Sequence, residues 1–164
     1  LNGEYLKAMT PEEFEKVATS WIEKAIDGKD YDVKELASLM QTRVDILSEI
    51  PEKLAFLNQF GEYDLALYEH QKMKVNKDVA KVAVKTAIDA LKDFEDWNAD
   101  AIKERIKTYS EQVGVKSGQV MFSMRVALTG APVTPGGAIE MAVVLKKDET
   151  MRRLAYSLDL LEKA

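Results

Sequence analysis

Residues 117–139 read SGQVMFSMRVALTGAPVTPGGAI, and Arg125 is the only charged side chain among them, set between Val120, Met121, Phe122, Met124, Val126 and Leu128. The apolar run closes at Thr129-Gly130, a helix stop, and Thr134-Pro135-Gly136-Gly137 then describes a short loop and a new helix with Pro135 in its first turn. The segment is helix, loop, helix. A guanidinium in such surroundings loses hydration that only hydrogen bonds can replace, so Arg125 must either satisfy a local acceptor or face a cleft.

Helical periodicity continues on both sides of this segment, and no run alternates as a half-buried strand between hairpin turns. The fold class expected is all-α, as two small packed helical subdomains over residues 1–62 and 63–164, with Asn58-Gln59-Phe60-Gly61 as the break. Thr10-Pro11-Glu12-Glu13 is a capping box that opens a helix running through Phe14, Val17, Trp21 and Ala25 to Gly28. A second helix is expected from about 32 to 49, and Pro51 opens a short third one. Asn76 caps a long helix to about residue 95, and Asn98 caps another over 99–113 with Gly114 as its stop. On the last helix, from about 148 to 161, Met151, Leu154, Leu158 and Leu161 bury one face and leave Arg152 and Arg153 toward solvent.

With 46% apolar residues in 164, the chain can bury a core. It has no cysteine and a single histidine, His70, which excludes a disulfide framework and a thiolate or multi-histidine metal site. The least charged stretch holds four glycines, two prolines and an arginine, which argues against a membrane span. Leu1 shows no signal-peptide pattern, the missing initiator Met points to a piece of a longer chain, and the cytoplasm is the default compartment. The net charge of −5 does not suit a generic nucleic-acid binder, yet it averages −8 over residues 1–102 with +3 over 103–164. Any RNA contact should favour the second part.

Three pieces, Gly118-Gln119-Val120, Met124-Arg125-Val126-Ala127-Leu128-Thr129-Gly130 and Thr134-Pro135-Gly136, resemble in order and spacing the C-terminal anticodon-binding region of bacterial-type glutamyl-tRNA synthetases. Asn2-Gly3-Glu4-Tyr5-Leu6-Lys7 is similar to that family's Asn-Gly-x-Tyr-Ile-Arg, and Arg43-Val44-Asp45 with Ile50-Pro51-Glu52-Lys53 to its Arg-x-x-x-Leu and Phe-Pro-Glu-Lys pieces. Three positions depart: Ser123 stands where Pro is frequent, Gly137 where a larger apolar residue is usual, and Lys146 where Leu-Gly-Lys is common.

The resemblance implies a tRNA(Glu)-binding part of glutamate–tRNA ligase, acting as a monomer. Its ATP and magnesium would belong to a catalytic domain absent from this chain. The residues themselves agree, since no glycine-rich phosphate loop, His-x-Gly-His or Lys-Met-Ser-Lys-Ser type loop is present, and no catalytic or metal residue is expected. The resemblance further implies that Arg43 reads the third anticodon base, that Arg125 lies beside the first, and that Thr134, Pro135 and Gly136 contact the middle one. The pairing edge of cytosine offers O2 and N3 as acceptors to a guanidinium, whereas guanine turns N–H donors toward it. Arg43 is placed mid-stripe on an apolar helix face with Leu36, Met40, Leu47 and Ile50, where the bland reading is a snorkelling arginine or an internal ion pair. For Arg125 the bland reading is a core arginine bonded to helix-end carbonyls, and for Thr134–Gly136 a plain helix cap. Lys77, Lys81 and Lys85 on one helix face read as a solvated stripe, with phosphate tracking as the alternative. A helical protein-interaction module without RNA affinity is the competing class.

Overall fold

The computed structural model describes residues 2–164; Leu1, on which the leader reading rests, lies outside the described residues. The chain divides into two compact units, residues 1–60 and 61–164. Both are helical. The one strand-like feature among the described residues is an isolated bridge between His70 and Val75.

The first unit holds α1 (Asn2–Ala8), α2 (Pro11–Ile26), α3 (Val33–Met40) and the single turn α4 (Ile50–Lys53). The box ahead of α2 forms as its sequence predicts, the Glu13 amide donating to Thr10 Oγ1 and the Thr10 amide to Glu13 Oε1. Phe14, Ala18, Ile22 and Ile26 form its buried stripe, against Leu36, Met40, Ile50 and Leu54 of this unit's core.

The expected helix over 32–49 is corrected: α3 stops at Met40, and residues 41–46 are turn. Side chains there outcompete the helix ladder. Gln41 Nε2 donates to the carbonyls of Leu6 and Met9, and Glu49 Oε1 accepts from the amides of Asp45 and Ile46. The next regular turns, Leu47–Glu49 and α4, start only after that capture.

The second unit packs α5 (Lys77–Leu91), α6 (Ala99–Val113), α7 (Ser117–Thr129) and α8 (Ala138–Lys163). Asn76 and Asn98 cap α5 and α6 through their side-chain oxygens, and α6 ends at a left-handed Gly114. α5 ends at Leu91 rather than near residue 95. α7 is buried through Val120, Ser123, Met124, Val126, Ala127 and Leu128 and ends at Gly130, φ 60°. A methyl there would stand 2.8 Å from Tyr63 Cδ1, so both conformation and space require glycine.

α8 is broken at Lys146, whose φ of 68° and ψ of 170° are not helical. Two successive helices are what the sequence predicts here. One turn before the break, the Ala142 carbonyl accepts from Trp97 Nε1 at 2.9 Å and from Thr150 Oγ1 at 3.2 Å.

Arg153 is the second correction, for it is only 1% exposed. Its Nε donates to Glu149 Oε2 at 2.7 Å and its NH1 to the Leu128 carbonyl at 2.9 Å, one of the unpaired carbonyls ending α7. The buried face of the C-terminal half is therefore Thr150, Arg153, Leu154, Ser157 and Leu161, with Met151 and Leu158 only half-buried. Among the described residues no helix is long and apolar enough to cross a membrane.

Candidate nucleic-acid interface

Arg125 sits one turn before the end of α7, half-buried, and no carboxylate pairs with it among the described residues. Its guanidinium carbon lies 5.5 Å from the Phe122 ring centroid, and the His70 ring meets that ring edge-on at 4.9 Å. NH1 reaches Thr134 Oγ1 across a long 3.4 Å, and the Thr134 hydroxyl donates to the Gly136 carbonyl at 2.6 Å. Burial pushes the guanidinium below its ordinary pKa, yet an arginine stays charged at neutral pH.

The loop carrying Thr134 is tied down at its start. Thr129 Oγ1 donates to the Arg125 carbonyl and accepts from the Ala131 amide, which links the end of α7 to the first residues of the loop. Pro135 is buried in the loop and not in a helical turn, because α8 begins at Ala138 with Gly137 as its N-cap. Gly136 takes φ 131°, and a methyl there would stand 3.1 Å from Glu140 Cβ. Val133, at the loop tip, is 78% exposed.

The second unit thus brings Arg125, Thr134 and Gly136 together and places Pro135 beside them. Arg43 belongs to the first unit. It is exposed in the turn after α3 rather than mid-stripe on a helix, and its NH1 donates to the Leu39 carbonyl at 2.8 Å and to Thr42 Oγ1 at 3.4 Å. Both bonds come from NH1, so they orient the guanidinium and leave Nε and NH2 free of protein partners among the described residues. Lys77 and Lys85 are exposed and Lys81 half-buried, with Lys85 paired to Asp89, as a solvated stripe requires.

Sequence reasoning gave His70 no role and took Phe122 as one more apolar residue of α7. Their signal was present in the spacing, since an aromatic three residues before a lone arginine on a helix places ring and cation on one face.

Residues 5–158 match the family described as an anticodon binding domain. The chain belongs to this family. A glutamate–tRNA ligase of Clostridium acetobutylicum is 40% identical over 163 residues, covering 99% of this chain and 34% of the relative. That of Clostridium novyi is 36% identical over 167 residues, with 100% and 34% covered. Among solved structures, a glutamate tRNA ligase from Elizabethkingia meningosepticum in complex with its amino acid superposes with a TM-score of 0.79 at 21% identity, over 98% of this chain and 31% of that one. The anticodon binding domain described here therefore spans about a third of the length of the curated relatives it matches. The all-α architecture read from the sequence is shared with these structures.

Proposed function

We propose that this chain is the anticodon-reading part of a glutamate–tRNA ligase and that its partner is tRNA(Glu). The observation that carries the reading is the cluster of Arg125, Phe122, Thr134 and Gly136: a half-buried cation without a carboxylate, stacked on an aromatic ring, beside a loop offering a hydroxyl and backbone groups. Single-stranded RNA is recognised by such surfaces, where unstacked bases meet aromatic or guanidinium planes and have their edges read by hydrogen bonds. In this reading Arg125 lies beside the first anticodon base, residues 134–136 meet the middle one, and Arg43 reads the third.

The Arg43 tether suits its role, because a guanidinium held through NH1 alone, by the Leu39 carbonyl and Thr42 Oγ1, keeps its Nε and NH2 donors for O2 and N3 of cytosine. Guanine would turn N–H donors toward them and be rejected. Activation of glutamate, with its ATP and magnesium, falls to the two thirds of the parent enzyme that this chain does not span. Among the described residues no group of three or more His, Asp or Glu is placed to hold a metal. The chain acts as a monomer in the cytoplasm by the same reading.

The test is a titration of the chain with tRNA(Glu) and with the same tRNA carrying G as its third anticodon base, at low and physiological salt. The expected result is a preference for C. Arg43→Gln should erase most of that preference, worth about 1–3 kcal/mol for a good base contact, with a smaller loss of total binding. Equal loss for both RNAs would move Arg43 from base reader to phosphate contact, and absence of binding to either would remove the reading.

A further inference from the structure

Beyond the bases, we propose a second RNA-binding site on the same unit: a lysine cleft at residues 72–74 and 116–119 that holds backbone phosphates of the strand whose bases Arg125 meets. The proposal rests on the anticodon-binding reading and adds a site to it. The cleft has a volume of about 490 Å³ and is lined by Lys72, Met73, Lys74, Lys116, Ser117, Gly118 and Gln119.

Four observations point to an anionic occupant. The three lysines are exposed, and none of them makes an ion pair among the described residues, whereas Lys85, Lys92, Lys147 and Lys163 of the same unit each hold a carboxylate. Three ammonium groups without a carboxylate therefore border one concavity, whereas the unpaired Lys77 and Lys81 lie along a helix face. Lysine suits phosphate as a mobile point charge that gives affinity without reading sequence.

The walls are built before any ligand arrives. Residues 71–74 form a tight turn closed by the paired amides and carbonyls of His70 and Val75, with Lys74 at φ 57°. Gln119 Nε2 spans from α7 to this turn, donating to the Met73 carbonyl at 3.0 Å and the Lys74 carbonyl at 3.3 Å. Those bonds occupy the acceptors that would otherwise repel a phosphate.

Gly118, exposed in the first turn of α7, also lines the cleft and has no steric reason to be glycine. Its φ is not positive, and a methyl would meet only Met73 Cε at 3.5 Å, an ordinary contact. A lining position without a side chain leaves room for close approach by a phosphate.

Direction is the fourth. Gly118, Phe122 and Arg125 fall within a sector of about 60° on α7, and Gly118 precedes Arg125 by about 10 Å of helix rise. His70, whose backbone closes the turn, also packs on Phe122. Arg125 and the cleft thus lie on the same side of α7, with the His70–Phe122 contact between them.

The experiment titrates the wild-type chain and two triple variants with the anticodon stem-loop RNA of tRNA(Glu), and with the same loop carrying G as third base, over a series of salt concentrations. One variant is Lys72→Gln, Lys74→Gln, Lys116→Gln; the other, of equal charge change, is Lys92→Gln, Lys103→Gln, Lys107→Gln. Circular dichroism checks that both remain helical. On single strands each phosphate contact contributes about 0.7 to the slope of log affinity against log salt, so the cleft variant should lose about two units of slope. Its deficit against wild type should shrink by roughly twentyfold for a fourfold rise in salt. Both RNAs should weaken by the same factor with the preference for C kept, and Lys→Arg at the three cleft positions should restore the slope. The proposal is overturned if the cleft variant keeps the wild-type slope, if the control variant loses as much, or if the loss falls on one RNA only. A wild-type chain that prefers C while the cleft variant binds unchanged sinks this site and leaves the anticodon reading standing. A wild-type chain that binds neither RNA removes both.

Discussion

At the residue scale, three arginines do three different things, and their surroundings decide which. Arg43 is exposed with one backbone tether, Arg125 is half-buried on an aromatic ring, and Arg153 is buried with its bonds spent inside the unit. Only the third is structural throughout, since it takes up a carbonyl at the end of α7 and a carboxylate on α8. Arg153→Ala should therefore cost on the order of 3 kcal/mol in urea unfolding, because it orphans the Leu128 carbonyl and removes one partner of Glu149. Arg153→Met keeps the volume and should cost less. Neither substitution touches the candidate interface, so an RNA-binding defect in folded protein would contradict this division of labour. In the sequence Arg153 adjoins Arg152 on a charged stretch, which made both look solvated, and only packing against α7 distinguishes them.

Element ends were the most legible features, because each is written in one or two residues. Thr10 with Glu13, Asn76, Asn98, Gly114 and Gly130 all stand where caps and stops are found. The α3 terminus was not legible, since it depends on Gln41 reaching carbonyls 32 and 35 residues away in sequence. Of the candidate site, the Thr129–Gly136 loop could be read as a loop, but the stack of His70, Phe122 and Arg125 required knowing that the turn at residue 70 packs on α7. The break in α8 carries its own prediction. Lys146 adopts φ 68° and ψ 170°, a region that only glycine enters without strain, and Leu145-Lys146-Lys147 stands where Leu-Gly-Lys is common. Glycine at this position follows from backbone geometry. Lys146→Gly should raise stability by about 1 kcal/mol or more, measured as an increase in the urea midpoint at unchanged slope. A decrease would mean that the lysine side chain contributes more than its backbone costs.

For the whole molecule, charge is divided between the units: residues 1–60 carry 7 basic and 12 acidic side chains, and 61–164 carry 16 of each. The first unit is thus acidic and the second neutral, which leaves local arrangement, and not net charge, to attract RNA. Acid stability follows from the same carboxylates. Hydrogen bonds from Arg152 and then Arg153 hold the Glu149 carboxyl at about 2, below its ordinary 4.5. A depressed carboxylate stabilises the fold above its unfolded pKa, and that contribution is lost as pH falls from about 4.5 toward 2. Unfolding midpoints should drop across that window, and Glu149→Gln should flatten the drop in part, the surface carboxylates Glu13 and Glu49 supplying the rest. An unchanged profile would show that the exposed side of Glu149 screens its partners. At the opposite end of the pH scale, the glycine that ends α7 lies against Tyr63, whose hydroxyl shares a 2.6 Å bond with that of the wholly buried Tyr68. Burial raises both phenols, so they resist ionisation in the native protein and ionise once it unfolds. Folding is thereby linked to hydroxide: the stability these phenols lend is complete below their unfolded pKa near 10 and drains away as alkalinity rises through it. Among the six tyrosines, this pair turns ultraviolet tyrosinate absorbance into a readout of the second unit's integrity.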